Sequence, residues 1–428
     1  MALLDRYGLS LSTASPAAAA AYVKAVDHFF AAGDNLTAGF DAALAIDPGF
    51  ALAEIGRARC LATYGRGAEA RQAAARARQL GAGIGARERA HIEALALVVE
   101  GRGAEALAAI KQHLNEFPRD ALVLQPATGI FGLIGLSGRL ARETELLALL
   151  DGLAPHYGDD WWFNANRAFA ECEAGRVKEA EARVEQALEA APHNANAAHV
   201  RAHVHYELDQ ARAGAVFLHA WLKAHSTRGI LRGHLCWHLA LWELGAGNAA
   251  EAWRLYEEEF RPALKGEGAP IPPLNVLTDV ASWLWRAELH GQPRRDDDWR
   301  AVASYSAERF PQAGVPFADI HAAMAILRCG DAAAFERLRV ELERLGGERP
   351  ASAIAARIAA GFAASARGDW TLAAAHLGEA RLEAVRVGGS RAQRELVDRS
   401  MLDALNNAGL VEDAAALIAA RPQVAGGA

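Results

Sequence analysis

The sequence predicts an all-α fold in which helical hairpins stack into a solenoid, a right-handed α–α superhelix. Three observations carry this. First, 52% of the 428 residues are hydrophobic and 23% charged, with 15 prolines and 7% aromatics. That is ample apolar surface for a core, and the alanine-rich, aromatic-poor balance favours helix over a β-sandwich or barrel. Second, helix-ending prolines recur at Pro48, Pro118, Pro155 and Pro192; the last three are 37 apart, and the first gap of 70 is close to two such steps. Third, glycines suited to a turn fall at Gly65, Gly101, Gly138 and Gly175, spaced 36, 37 and 37, with later ones near Gly245, Gly330, Gly368 and Gly409. A period of that length reads as helix, glycine turn, helix and break. One hairpin cannot bury its apolar face alone, so neighbours stack and leave a concave inner wall.

Taken in order, the chain opens Met-Ala-Leu-Leu-Asp-Arg, without the basic region and apolar run of a secretion signal. Residues 15–421 hold about ten to eleven hairpins, read as one repeat domain spanning 1–428. Second helices start on small residues, as in Gly-Ala-Glu-Ala at 67–70 and 103–106, Lys-Glu-Ala-Glu-Ala at 178–182 and Ala-Ala-Glu-Ala-Trp at 249–253. Ala121 to Gly138 lacks charge for 18 residues, the threshold of a membrane span. Gln125, Pro126, Thr128 and four glycines argue instead for a buried helix pair. Lys265–Pro273 reads as an inserted loop, Gly346–Pro350 as a shorter break, and 422–428 as a frayed tail. Cys60, Cys172, Cys236 and Cys329 form no CxxC pair and read as buried, reduced thiols of a cytoplasmic protein. The formal charge of −7 speaks against a phosphate-backbone binder. Neither nucleic acid nor membrane is expected as a partner.

Function is narrowed by histidine. Eight of fifteen lie between His193 and His238. His199 and His203 are four apart, so they share one helix face. His234 and His238 are also four apart, and the offset between the pairs is 35, one repeat. Both pairs fall on the fifth and ninth residues of their units, so they occupy equivalent positions in the first helices of successive hairpins. The same register adds Trp162 and Asn166 one repeat earlier, Asp279 and Trp283 one repeat later, and His321 with Asp319 beyond. His193, His205, His219 and His225 read as peripheral. Trp242 and Trp253 read as hairpin packing, and Trp237 as turned sideways into the neighbouring hairpin.

Three readings suit such a cluster. Imidazoles titrate near neutrality, and a carboxylate such as Asp279 can orient one as a general base. Histidines at i, i+4 on neighbouring helices can also supply nitrogens to zinc or iron, with Asp279 as ligand or outer support. Alternatively, the groups satisfy one another in a solvated groove, or line a surface for a peptide.

The period of 34 to 37 resembles the tetratricopeptide repeat, best at the unit closing on Pro192, with Ala180 and Ala187 at its small-residue positions. Longer segments resemble one family in particular. They are Ala-Ala-His-Val-Arg-Ala-His-Val at 197–204, His-Leu-Cys-Trp-His-Leu-Ala-Leu at 234–241, Thr-Asp-Val-Ala-Ser-Trp-Leu-Trp-Arg at 278–286 and Phe-Ala-Asp-Ile-His-Ala-Ala-Met at 317–324. In this order they look like the tetratricopeptide repeat protein 38 family. Leu235 and Cys236 depart from its HNYWH-type segment, and its earlier His-Asp element has no counterpart around Ala127–Phe131. The resemblance implies the repeat fold and a groove-facing site, and names no substrate.

The expectation is therefore a small-molecule enzyme or ligand-binding protein with a reactive centre of His203, His234, His238, Asp279 and His321. Trp162, Asn166, His199 and Trp283 would hold the ligand on the concave face. The alternative is a peptide-binding adaptor without catalysis, and a second alternative is a metal site on the same histidines. The cofactor stays unknown, with a metal ion among the options, and self-association stays open.

Overall fold

The computed structural model describes residues 2–226, 228–421 and 423. Among them the protein is an all-α chain of 22 α-helices. One small antiparallel strand pair, Leu3–Leu4 with Ser10–Leu11, precedes the first helix and was not expected. The tail assigned to 422–428 lies outside the described residues, apart from Gln423.

The helix starts follow from side chains that satisfy orphan backbone N–H groups. Ser15 accepts from Ala18 N with Pro16 opening the helix, Asp160 accepts from Phe163 N, and Ser390 and Gln393 form a reciprocal capping box. The turns use glycine as the spacing predicts: Gly65, Gly101, Gly175, Gly330, Gly368 and Gly409 all have φ between +71° and +82°, a region that a Cβ disfavours. The turn placed near Gly245 falls two residues on, at Gly247 (φ +85°). Ala70, Ala106, Ala180 and Ala252 have no exposed surface, so the small residues of the second helices lie in the core.

The chain forms two compact units, Met1–Ile134 with Thr144–Val200 and His225–Leu231, and Gly135–Glu143 with Arg201–Ala224 and Arg232–Ala428. In the first, hairpins such as Ala86–Val99 with Gly103–Glu116 and Trp161–Glu173 with Val177–Ala190 follow the repeat. In the second, Arg232–Gly245, Pro273–Leu289, Pro316–Arg328 and Arg391–Asn407 are the first helices of their hairpins.

The charge-free stretch 121–138 is not a helix pair. Helix covers Ala121–Leu124, a 3₁₀ turn follows over Gln125–Ala127, and the rest is turns. Pro126 removes a backbone donor, and Gly129 and Gly138 sit at φ +75° and +72°, so helical hydrogen bonding stops there. Residues 266–272 are non-helical, with Gly266 at φ +71° and the next helix beginning at Pro273.

The Pro273–Leu289 helix is held against Arg391–Asn407 by buried polar groups. Arg286 donates to Glu395 at 2.9 Å and to the Ala392 carbonyl at 2.7 Å, Arg399 donates to Glu395 at 2.7 Å, and Trp285 Nε1 donates to Ser400 Oγ at 2.9 Å. Two guanidiniums thus share one carboxylate that has no solvent exposure. Gly135–Glu143 is fastened to the same region, through Arg142 to the Gly389 carbonyl and through Arg394 to Glu143 at 2.6 Å.

Candidate functional site

Three helices position the cluster. Ala195–Glu207 carries His199 and His203, Arg232–Gly245 carries His234 and His238, and Pro273–Leu289 carries Asp279. The unit boundary falls between Val200 and Arg201, inside one continuous helix, so the spacing of His199 and His203 is set by that helix alone. One ring nitrogen from each of the four histidines lies within 4.8 Å of the others. His203 and His234 both meet His238 edge to face, with centroids 4.7 and 4.9 Å apart and planes at 77°. His203, His234 and His238 are 1–3% exposed and His199 is 7% exposed.

Asp279 Oδ2 lies 2.9 Å from His234 Nδ1. A carboxylate accepts, so the hydrogen sits on Nδ1 and the lone pair of neutral His234 is on Nε2. Asp279 Oδ1 is buried with no hydrogen-bond partner. Burial raises the Asp279 carboxyl above its ordinary value, against the opposing charge and hydrogen bond of His234. Burial pushes His203 down to about 3, with the His234 charge adding to it, so His203 is neutral at pH 7. Trp237 stacks on His234 (5.3 Å, 9°) and donates to Ser282 Oγ at 3.1 Å, which fixes the ring from the side. Cys236, between the two histidines, is buried, and burial raises its thiol.

The other expected residues have different surroundings. His321 is outside the set of four: its Nδ1 donates to the Phe317 carbonyl at 2.7 Å, and burial lowers it to about 4. Trp283 has no exposed surface and packs among Trp253, Tyr256 and Phe260. Trp162, in the first unit, stacks on Phe30 (4.3 Å, 18°), and Asn166 Nδ2 donates to the Trp162 carbonyl at 2.9 Å. His205, read as peripheral, is 7% exposed and pairs with Gln210 at 3.0 Å. Cys60, Cys172 and Cys236 are buried as expected, whereas Cys329 is exposed.

A second cluster, in the first unit, was not anticipated. The earlier repeats do contain a His-Asp grouping, made by His91, His113 and Asp120 rather than around Ala127–Phe131. His91 Nδ1 lies 3.0 Å from both Asp120 oxygens, His113 Nε2 lies 2.9 Å from Oδ2, and Arg87 donates to Oδ2 at 2.9 Å. Burial alone would raise this carboxyl, but the two imidazoles outweigh it and hold the group well below the usual range. His91 and Asp120 also line a cavity of about 10 Å³, the room of a single water. The three residues are 22 and 7 positions apart, with His91 and His113 on the two helices of one hairpin and Asp120 just before the short helix Ala121–Leu124, so no local motif announces them.

No family model matches the chain. Among solved structures it is similar to the human IFIT1 dimer with m7Gppp-AAAA, at 12% identity and TM-score 0.47, over 87% of this chain and 90% of that one. It is also similar to Naa15/Naa10 bound to HypK-THB (14%, TM-score 0.23, 94% and 68%) and to the P58(IPK) TPR domain (14%, TM-score 0.22, 92% and 99%). No helix among the described residues is long and apolar enough to cross a membrane.

Proposed function

We propose that the chain is a helical-repeat binding protein whose working centre is the imidazole–carboxylate cluster of His203, His234, His238 and Asp279. It takes a small hydrogen-bonding ligand there, with His234 and Asp279 as the acid–base couple. The observation that carries this is the His234–Asp279 bond at 2.9 Å beside two further imidazoles in ring contact. Packed cores rarely collect such groups. In this arrangement Asp279 sets the His234 tautomer, His238 bridges the rings of His234 and His203, and His199 flanks the site one turn before His203. His321, Trp162, Asn166 and Trp283 serve packing instead, since each is engaged with its own neighbours. The three buried thiols suit a reducing compartment.

Thermal-shift profiling of the purified chain against pooled metabolites tests the reading. A pool that raises Tm for the wild type and leaves His238→Ala unmoved supports it. Equal shifts in both chains, or no shift with any pool, count against it.

A second reading, a peptide-binding scaffold, is favoured by one observation. An open groove in the second unit is lined by Tyr206, Ala215, Val216, His219 and Trp242, and Val216 is 65% exposed. A Val216→Asp chain that loses a peptide bound by the wild type, with its Tm unchanged, supports this reading.

A further inference from the structure

We infer that the histidine cluster is a metal centre for a divalent late first-row ion, zinc in the first instance. This rests on the site proposed above and names what occupies it. A cation placed between the four imidazoles can be held by one ring nitrogen from each. The four nitrogens within 4.8 Å of one another are close to that requirement. Zinc–nitrogen bonds of about 2.0–2.1 Å in a tetrahedron put nitrogens roughly 3.4 Å apart, so ring rotations and small helix shifts bring the set into range. Imidazole is the common ligand of zinc, copper, iron and nickel, and the absence of a carboxylate from the inner set disfavours magnesium and calcium.

The support around the cluster is of the kind metal sites use. Asp279 binds the Nδ1–H of His234, which aims the Nε2 lone pair and raises the basicity of the ring. Trp237 stacked on that ring and anchored on Ser282 restricts its rotation. His203, His234 and His238 come from two helices of one unit and form the inner three. His199 is the most exposed of the four and meets Phe169 edge on at 5.3 Å. It takes the fourth position, and a ligand of the ion enters by displacing it. Asp279 is a positioning residue here, acting on the ion through His234.

The test uses the full chain, produced without a polyhistidine tag and stripped with a chelator. Cobalt(II) is then added alone and the visible spectrum recorded. The expected result is one equivalent bound, with the strong d–d bands of a tetrahedral site, and about one equivalent of zinc in the unstripped protein by elemental analysis. Less than about a tenth of an equivalent of any transition metal, with no d–d bands in a chain whose helicity is intact, overturns the proposal. The wild-type measurement decides this without a variant. Asp279→Asn is expected to keep the bands and weaken binding about 10- to 100-fold. His199→Asn is expected to shift the bands and leave stoichiometry at one, whereas unchanged bands would remove His199 from the inner set. Failure here is separable from failure of the ligand site. A chain that binds no metal yet loses its Tm response on His238→Ala retains the site and excludes the ion.

Discussion

The two histidine clusters use the same side chains in opposite proportions. In the first unit one carboxylate, Asp120, takes hydrogen bonds from two imidazoles and a guanidinium. In the second, several imidazoles face one another and one carboxylate, Asp279, serves a single ring. A buried anion surrounded by three donors is electrostatically complete and clamps the two helices of one hairpin to the segment that follows it. Grouped imidazoles instead bring several ring nitrogens to one point, where a single cation can gather them. Function is therefore to be sought where like groups meet, and stability where unlike groups do.

Four measurements sharpen or break that contrast. The largest effect is expected from Asp120→Ala, which leaves Arg87 and two imidazoles without their anion in a buried site. A loss of about 3–5 kcal/mol in urea unfolding is predicted, and a loss below about 1 kcal/mol would end the clamp interpretation.

Next comes pH. The pKa of His203 falls from an ordinary 6.5 to about 3 on folding. The unfolded chain therefore binds the extra proton between these values, and stability rises with pH across that window. His203 contributes fully above pH 6.5 and loses stability progressively down to about pH 3. The depressed carboxyl of Asp120 acts lower, because its stabilisation is present above its unfolded value and is lost as pH falls through the folded one. A His203→Gln chain should show a shallower stability slope between pH 6.5 and 3, by up to about 1.4 kcal/mol per pH unit. An unchanged slope would show that ring to be protonated or hydrated in the folded state.

A smaller effect is expected for Asp279→Asn. The amide oxygen still accepts from His234, so the metal-free chain should lose only about 1–2 kcal/mol. If this loss exceeds that of Asp120→Ala, the roles of the two clusters are reversed. The smallest belongs to Trp237→Phe, which keeps a ring over His234 and removes the hydrogen bond to Ser282, at about 1 kcal/mol by thermal unfolding.

What the sequence made legible follows the range over which each residue acts. The glycine turns and the four-residue histidine spacing are local, and the structure contains both. The 35-residue offset between the pairs works because the two helices are neighbours in the repeat, and Asp279 lies one hairpin further, past a non-helical segment. Trp162 and Asn166 share that register formally, yet Trp162 stacks on Phe30, 132 residues earlier, a tertiary pairing no repeat count contains. The clamp at Asp120 was invisible for the same reason. The 121–138 stretch misled in another way, since absence of charge reports burial and not helix, and Ile130 and Ile134 are buried within turns.

The fastening of Gly135–Glu143 onto Gly389 and Arg394 has a practical side. Repeat arrays usually tolerate shortening from either end, because each module leans only on the next. Here Arg142 is joined to the backbone of a residue 247 positions away. Truncating the C-terminal hairpins should therefore uncover a cationic side chain in the middle of the chain. Shortened versions made for crystallography or display will need Gly389 and Arg394 retained, or Arg142 replaced along with them.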